Sequence, residues 1–471
     1  MNRIISVKHG QKKKLGENEP AQPTYIWITD EAGAVSEVHE LWTEDEEMDF
    51  LLGRLPIEHE KATADTDLTP HNPRQIKWRQ LKPEDDEESA PLNLRREHRL
   101  PDSRKTVTMV AVQVPSKFEG LAANDTVLTI LGGSGSYYIA ALAERLQQIG
   151  GKMYQLPAYV LAERAGKDRD KSQDARLLTE IFAQEQNLFY FMEEQDKKLV
   201  ILRDAVYALL KIMRDRIACG QRIVQRLRAE TFQQAARQSN SEWSFNQCPP
   251  DLAVSSSSEI AIKYQQALEE DVIYQGMVKK EKEAEKRVAK LLDTLPVYKK
   301  VFEPVERCGP KIAMRIITAV ADIRRFPTLP KFCRFCGVHV NPDGTFPRSR
   351  KKQPFPGNPL ARQAFYLFVA DQCNKAPASH WGKVLRAYKA KFRALHPEVE
   401  VVNGKKRYTN AHIHKMGIWR TATKFAEHIY KSWRWLELAR QGKAIGEPPQ
   451  PIDPQSILAQ AEEISSARQA A

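Results

Sequence analysis

Residues 305–368 hold the residue types whose spacing could do chemistry. Cys308-Gly309-Pro310-Lys311 is a glycine turn between two helical patterns, the second running through Ile312, Ile316, Ile317 and Val320. A helix that starts at such a turn offers free backbone N–H groups, which suits a phosphate, and Lys311 adds a cation there. A proline-framed loop then presents Arg348, Arg350, Lys351 and Lys352, cations that a nucleic-acid backbone attracts. The loop ends at Gly357-Asn358-Pro359, with Arg362 one turn later. That tripeptide reads as a helix start capped by Asn358.

Farther along, Lys383, Arg386, Lys389, Lys391 and Arg393 interleave with Trp381 and Tyr388. Lys405, Lys406, Arg407, His412, Lys415, Arg420 and Lys424 do the same with Tyr408 and Trp419. Cations track phosphates while aromatic faces stack unpaired bases. The alternative is a solvated helix face whose aromatics pack inward. Trp433 and Trp435 read as core. His412 and His414 are two apart, poor spacing for one helix face, so no metal site is expected there. Cys333 and Cys336 form a single C-x-x-C without a second pair, and KFCRFCG fits one helical turn. Structural thiols are expected, and no metal.

The chain has 471 residues and a formal charge of +12. The imbalance is local: residues 331–440 contain 22 Lys+Arg against 6 Asp+Glu, a net of +16, so the remainder sums to −4. Charge this concentrated is a footprint for nucleic acid; a merely soluble basic surface is the other reading. No run of 18 apolar residues exists, so no membrane partner is expected. The start, MNRIISVKHGQKKKLG, shows no signal-peptide pattern, and six cysteines in so long a chain fit a reducing cytosol.

These residues need elements to position them. Residues 2–9 and 24–40 read as a strand and a hairpin turning at Glu31-Ala32-Gly33. Residues 41–105, rich in acids and prolines, read as an insertion or flexible loop. Strand patterns return at 107–116 and 126–131, then GGSGS and a helix at 137–149. The order is that of an RNase H-like α/β domain. From Asp174 to about Lys300 two long helical stretches, joined by a polar link at 236–257, fit an antiparallel coiled-coil hairpin or ordinary bundle helices. The region after 375 is helical again. The expected fold class is α/β plus α: residues 1–175, with the acidic insertion at 41–105; a helical arm over 176–300; a basic helical domain over 301–444; and a flexible tail over 445–471.

The segment 305–368 resembles the C-terminal domain of the insertion-sequence 110 transposases, which are bridge-RNA-guided recombinases. It also resembles the Nop domain of box C/D ribonucleoproteins, and Gly357-Asn358 matches a Gly-Asn of both, which implies a direct RNA contact there beside the helix cap. Residues 126–182 look like the strand, helix, strand and last catalytic helix of the transposase RuvC-like domain. In that family four carboxylates bind two metal ions, because Mg²⁺ takes oxygen ligands. Here the first position is Lys8. The Glu position, two before Ser134-Gly135-Ser136-Tyr137, is Gly132. Asp174 matches the final Asp, but its partner position is Lys171, with Asp170 one residue away. Asp30, Glu119 or Asp125 are the candidates for displaced ligands. The recombinase serine position before Gly344 holds Asp343, and Ser349 lies a few residues beyond.

Together these features resemble the nuclease-lacking Tas proteins of tandem interspaced guide RNA systems. The resemblance implies a structured, box C/D-like guide RNA held by residues 305–425, target DNA read through the guide, and a homodimer formed through the arm. It also implies no catalytic residue, no cofactor (Mg²⁺ only with an active cleft), and a cytoplasmic, nucleoid-associated protein of a prokaryote or phage. The alternative is an active transposase, site-specific recombinase or nuclease with displaced catalytic residues.

Overall fold

In a computed structural model of the chain the described residues are 3–10, 12, 21–30, 35–99, 106–132, 135–166, 170–237, 259–341, 345–347, 357–402, 405–444 and 446–470. The chain divides into two compact units, Met1–Glu193 and Glu194–Ala471.

The first unit begins with β1 (Ile4–Lys8), β2 (Thr24–Thr29) and β3 (Val35–Leu41). It continues with α1 (Glu44–Leu51), β4 (Leu55–Lys61), β5 (Lys77–Gln80), β6 (Arg95–Arg99) and β7 (Thr106–Glu119). Then come β8 (Thr126–Leu131), α2 (Ser136–Gln148), β9 (Lys152–Pro157), α3 (Ala158–Ala165), α4 (Asp174–Gln184) and β10 (Tyr190–Phe191). Six strands form one sheet in the order β10-β9-β8-β1-β2-β3. β1 pairs antiparallel with β2 but parallel with β8, and β8 is parallel to β9. β1 alternates apolar residues over a core of Ile5, Val7, Ile26 and Val127, and the Ser6 and Thr179 hydroxyls, 2.6 Å apart, tie α4 to it.

Residues 41–105, expected as an insertion or flexible loop, are not a loop in their described part: they supply α1 and three strands of a second sheet, between β3 and β8 in the chain. Its long strand β7 pairs with β4, β5 and β6 over a small core of Ile76, Leu94, Val110 and Val114. The strand pattern at 107–116 therefore belongs to this second sheet and not to the first. The acids are used locally: Thr43 and Glu46 form a capping box on α1, and Asp85 takes both guanidinium nitrogens of Arg79 at 2.5 and 2.9 Å.

α4 packs on β1 and β10 pairs with β9, so both belong to the first unit, and the second unit starts at Glu194. Its elements are α5 (Glu194–Arg237), α6 (Glu259–Glu270), α7 (Val272–Asp293), α8 (Pro310–Val320), α9 (Leu329–Phe335) and α10 (Pro359–Leu367). They are followed by α11 (His380–Leu395), the hairpin β11 (Glu400–Val402) and β12 (Lys405–Arg407), α12 (Asn410–Arg440) and α13 (Pro454–Ala470). α5 and α7 run antiparallel. Arg216 pairs with Glu281 and donates to the Tyr274 hydroxyl at 3.2 Å, while Val206 and Leu209 share a core with Val288 and Leu292. Gly220 permits the close approach: a Cβ there would sit 3.1 Å from the Tyr274 ring. The arm is not a separate core, since the same cluster continues through Ile316, Phe365, Phe425 and Trp433. Arg324, 4% exposed, joins the start of α5 to the segment after α8 by binding Asp196 at 2.9 Å and Asp322 at 2.6 Å. The expected tail over 445–471 forms α13, which packs on α11 with Ile457 and Ala461 buried. No described helix is long and apolar enough to cross a membrane.

Candidate nucleic-acid interface

The second unit presents a cleft of about 1020 Å³ between α10, α11, the β11–β12 hairpin and α12. α12 buries Ile418, Ala422, Phe425, Ile429 and Trp433 on one face, which leaves Lys415, Trp419 and Arg420 toward the cleft. In the hairpin Glu400 stands opposite Arg407. Arg393, at the end of α11, fixes the chain entering α12 by donating to the carbonyls of His396 and Tyr408, both at 3.1 Å, and to Asn410 Oδ1 at 2.7 Å. Thr409 caps α12 by accepting the His412 N–H at 3.2 Å.

Six cations line the cleft: Arg362, Lys391, Lys406, Arg407, Lys415 and Arg420. No Asp or Glu is among the described lining residues. The Arg362 guanidinium lies over the Trp419 indole, 4.3 Å from the ring centroid, and donates to the Gly337 carbonyl at 3.0 Å. Phe346 stacks near Trp419 at 6.1 Å. Burial lowers the His396 pKa below the ordinary 6.5, with Glu400 opposing the shift and Arg468 and Arg393 adding to it. Positive charge gathered around neutral rings is the chemistry of a site for a polyanion with exposed bases.

Of the residues singled out in the sequence, Arg362, Lys391, Lys406, Arg407, His412, Lys415, Trp419 and Arg420 meet here. Lys383 and Arg386 are exposed on α11, while the stem of half-buried Lys389 lies against Gly417. Lys424 pairs with Glu427 at 2.8 Å, and exposed Lys311 with Glu285 at 2.6 Å, so both are partly neutralised. Asn358 accepts the Ala361 N–H at 3.1 Å as the cap of α10. Lys405 lies in β12; its side chain, like Arg348, Arg350, Lys351, Lys352, Asp343 and Ser349, falls outside the described residues. Two expectations need correction. Trp381 is 2% exposed against Phe368 and Phe425, a core residue and not a base platform, and Arg393 is spent on loop carbonyls. Trp433 is core, as read, while Trp435 is only half-buried. Phe346, His396 and Phe392 also line the cleft, although their sequence context does not mark them. His396-Pro397 breaks the α11 pattern, a signal that could have marked the cleft edge.

The positions that the transposase resemblance assigns to metal ligands lie in the first unit. Lys8 ends β1, and Gly132 holds φ 72° just after β8. Asp174 is buried at the start of α4, while Asp170 is exposed and accepts from Ser172. Asp125 and Glu119 are both bound by Arg3, at 2.8 and 2.7 Å. Of the displaced-ligand candidates Asp30, Glu119 and Asp125, the last two are thus held by a cation. Cys308, Cys333, Cys336 and Cys373 are buried in the core, and burial pushes the Cys333 and Cys373 thiols up to about 12.

Set against known proteins, the chain matches no family model and no curated protein.

Proposed function

We propose that the protein binds a structured guide RNA, finds DNA by base pairing through that guide, and does not cut it. The observation that carries this reading is the cleft, in which six cations surround Trp419, Tyr408 and Phe346 with no acid among the described lining. We read the second unit as a Nop-like holder of a box C/D-like RNA, and the paired α5–α7 helices as the element through which two copies join. We read the first unit as a RuvC-like domain emptied of its metal ligands. The support is its parallel β1–β8–β9 core flanked by the antiparallel β1–β2–β3 strands, together with Lys8, Gly132 and the Arg3-bound carboxylates. In such a protein, base pairing supplies sequence and the protein supplies shape and charge.

The test uses protein carrying its own RNA, with duplex DNA matched to that RNA. We expect a retarded complex with matched but not scrambled DNA, and both strands intact after incubation with Mg²⁺ or Mn²⁺. Guide-directed cleavage that vanishes in Asp174→Ala would overturn the reading in favour of a nuclease.

A further inference from the structure

Three rings stand in near-parallel order in the cleft. His396 and Tyr408 stack with centroids 3.7 Å apart and planes 4° from parallel, and His412 follows Tyr408 at 5.5 Å and 11°. Tyr408 holds φ 55°, a backbone conformation that an aromatic residue rarely adopts. It is fixed from both sides: its N–H donates to His412 Nδ1 at 2.9 Å, and its carbonyl accepts from Arg393 at 3.1 Å. Surroundings that over-determine an unfavourable backbone mark positions kept for a task. Because Nδ1 accepts a backbone N–H, the His412 ring is the neutral tautomer with its proton on Nε2. A second proton on Nδ1 would face that N–H. His412 is therefore a flat ring and a donor, not one of the cleft's cations.

We infer that this cleft takes a short unpaired segment of RNA, its bases stacked on the His396–Tyr408–His412 ladder and Trp419. The exposed cations Lys406, Arg407 and Lys415 hold its phosphates. The inference rests on the nucleic-acid reading above and narrows it. In a duplex the bases already cover one another's faces, so a ring ladder finds no partner there; unpaired bases offer both faces. The cleft volume is that of a pocket for a few rings. Six cations exceed what one free nucleotide would neutralise, which favours a stretch of chain.

The test uses the full chain, freed of bound RNA by salt and nuclease, and three end-labelled probes of about eight nucleotides, a length within the usual single-strand site size. The probes are an unpaired oligoadenylate, the same strand with three central abasic nucleotides, and that strand annealed to its complement. We expect the abasic and duplex probes to bind about tenfold or more weakly than the unpaired strand. Trp419→Leu should shrink the intact-to-abasic gap, whereas Lys406→Ala should weaken both strands alike. Equal binding of intact and abasic strands would overturn the inference while leaving RNA binding in place. Binding of no probe would overturn both.

Discussion

A single lysine or arginine in the cleft acts through its charge, and its contribution can be read as a salt dependence. Lys406, Arg407 and Lys415 are exposed at the cleft, whose described lining includes no acid. Replacing all three by Ala removes about three phosphate contacts, which lowers the log–log salt slope of single-strand binding by about two units. An unchanged slope would remove these residues from the interface. At this scale the sequence is half legible. Residue types and the concentration of charge are visible in it, and they single out Lys406, Lys415, Trp419 and Arg420, which the structure brings to one cleft. Partners are not visible, because they come from other helices. Lys311 meets Glu285 of α7, and the Asn358 side chain is occupied as a helix cap. His412 reads in the sequence as one more basic residue, and only the backbone N–H on its Nδ1 makes it a neutral ring.

Among the elements, α11 depends on two details at its start. Ser379 caps it by accepting the Gly382 N–H at 3.1 Å, and a Cβ on Gly382 would lie 2.2 Å from the Ala376 carbonyl oxygen. Gly382→Ala must push that loop aside, so we expect a loss of about 1–3 kcal/mol, seen as a lower melting temperature. An unchanged melting temperature would mean the loop yields freely. On α12, burial with His380 nearby pulls the His428 imidazole down to about 4. The unfolded chain takes up that proton near 6.5, so between these values the unfolded state binds more protons and stability falls as pH drops. The urea midpoint should decline from pH 7 to pH 5, and His428→Leu should flatten the decline; an equally steep decline in the variant would assign it to other groups. The elements that escaped the sequence have weak patterns for physical reasons. β5 (KWRQ) and β6 (RREHR) are short and mostly exposed, so neither shows apolar alternation, and their partner β7 supplies the apolar face. α13 buries little beyond Ile457 and Ala461, which is too sparse a stripe to mark a helix. By contrast, β1, β8, α2 and α12 bury full apolar faces, and these are readable.

For the whole molecule, the basic concentration falls entirely in the second unit, while the first carries carboxylates bound by Arg3 and a lysine at the end of β1. On the function proposed above, the second unit is the part that holds nucleic acid. On that proposal the second unit holds one particular RNA. The most direct measurement is to purify the full chain through a moderate-salt wash, then size and sequence the nucleic acid that remains bound. A discrete short RNA species that survives the wash is the predicted result. Heterogeneous nucleic acid that leaves with salt would show only non-specific charge binding and contradict the claim.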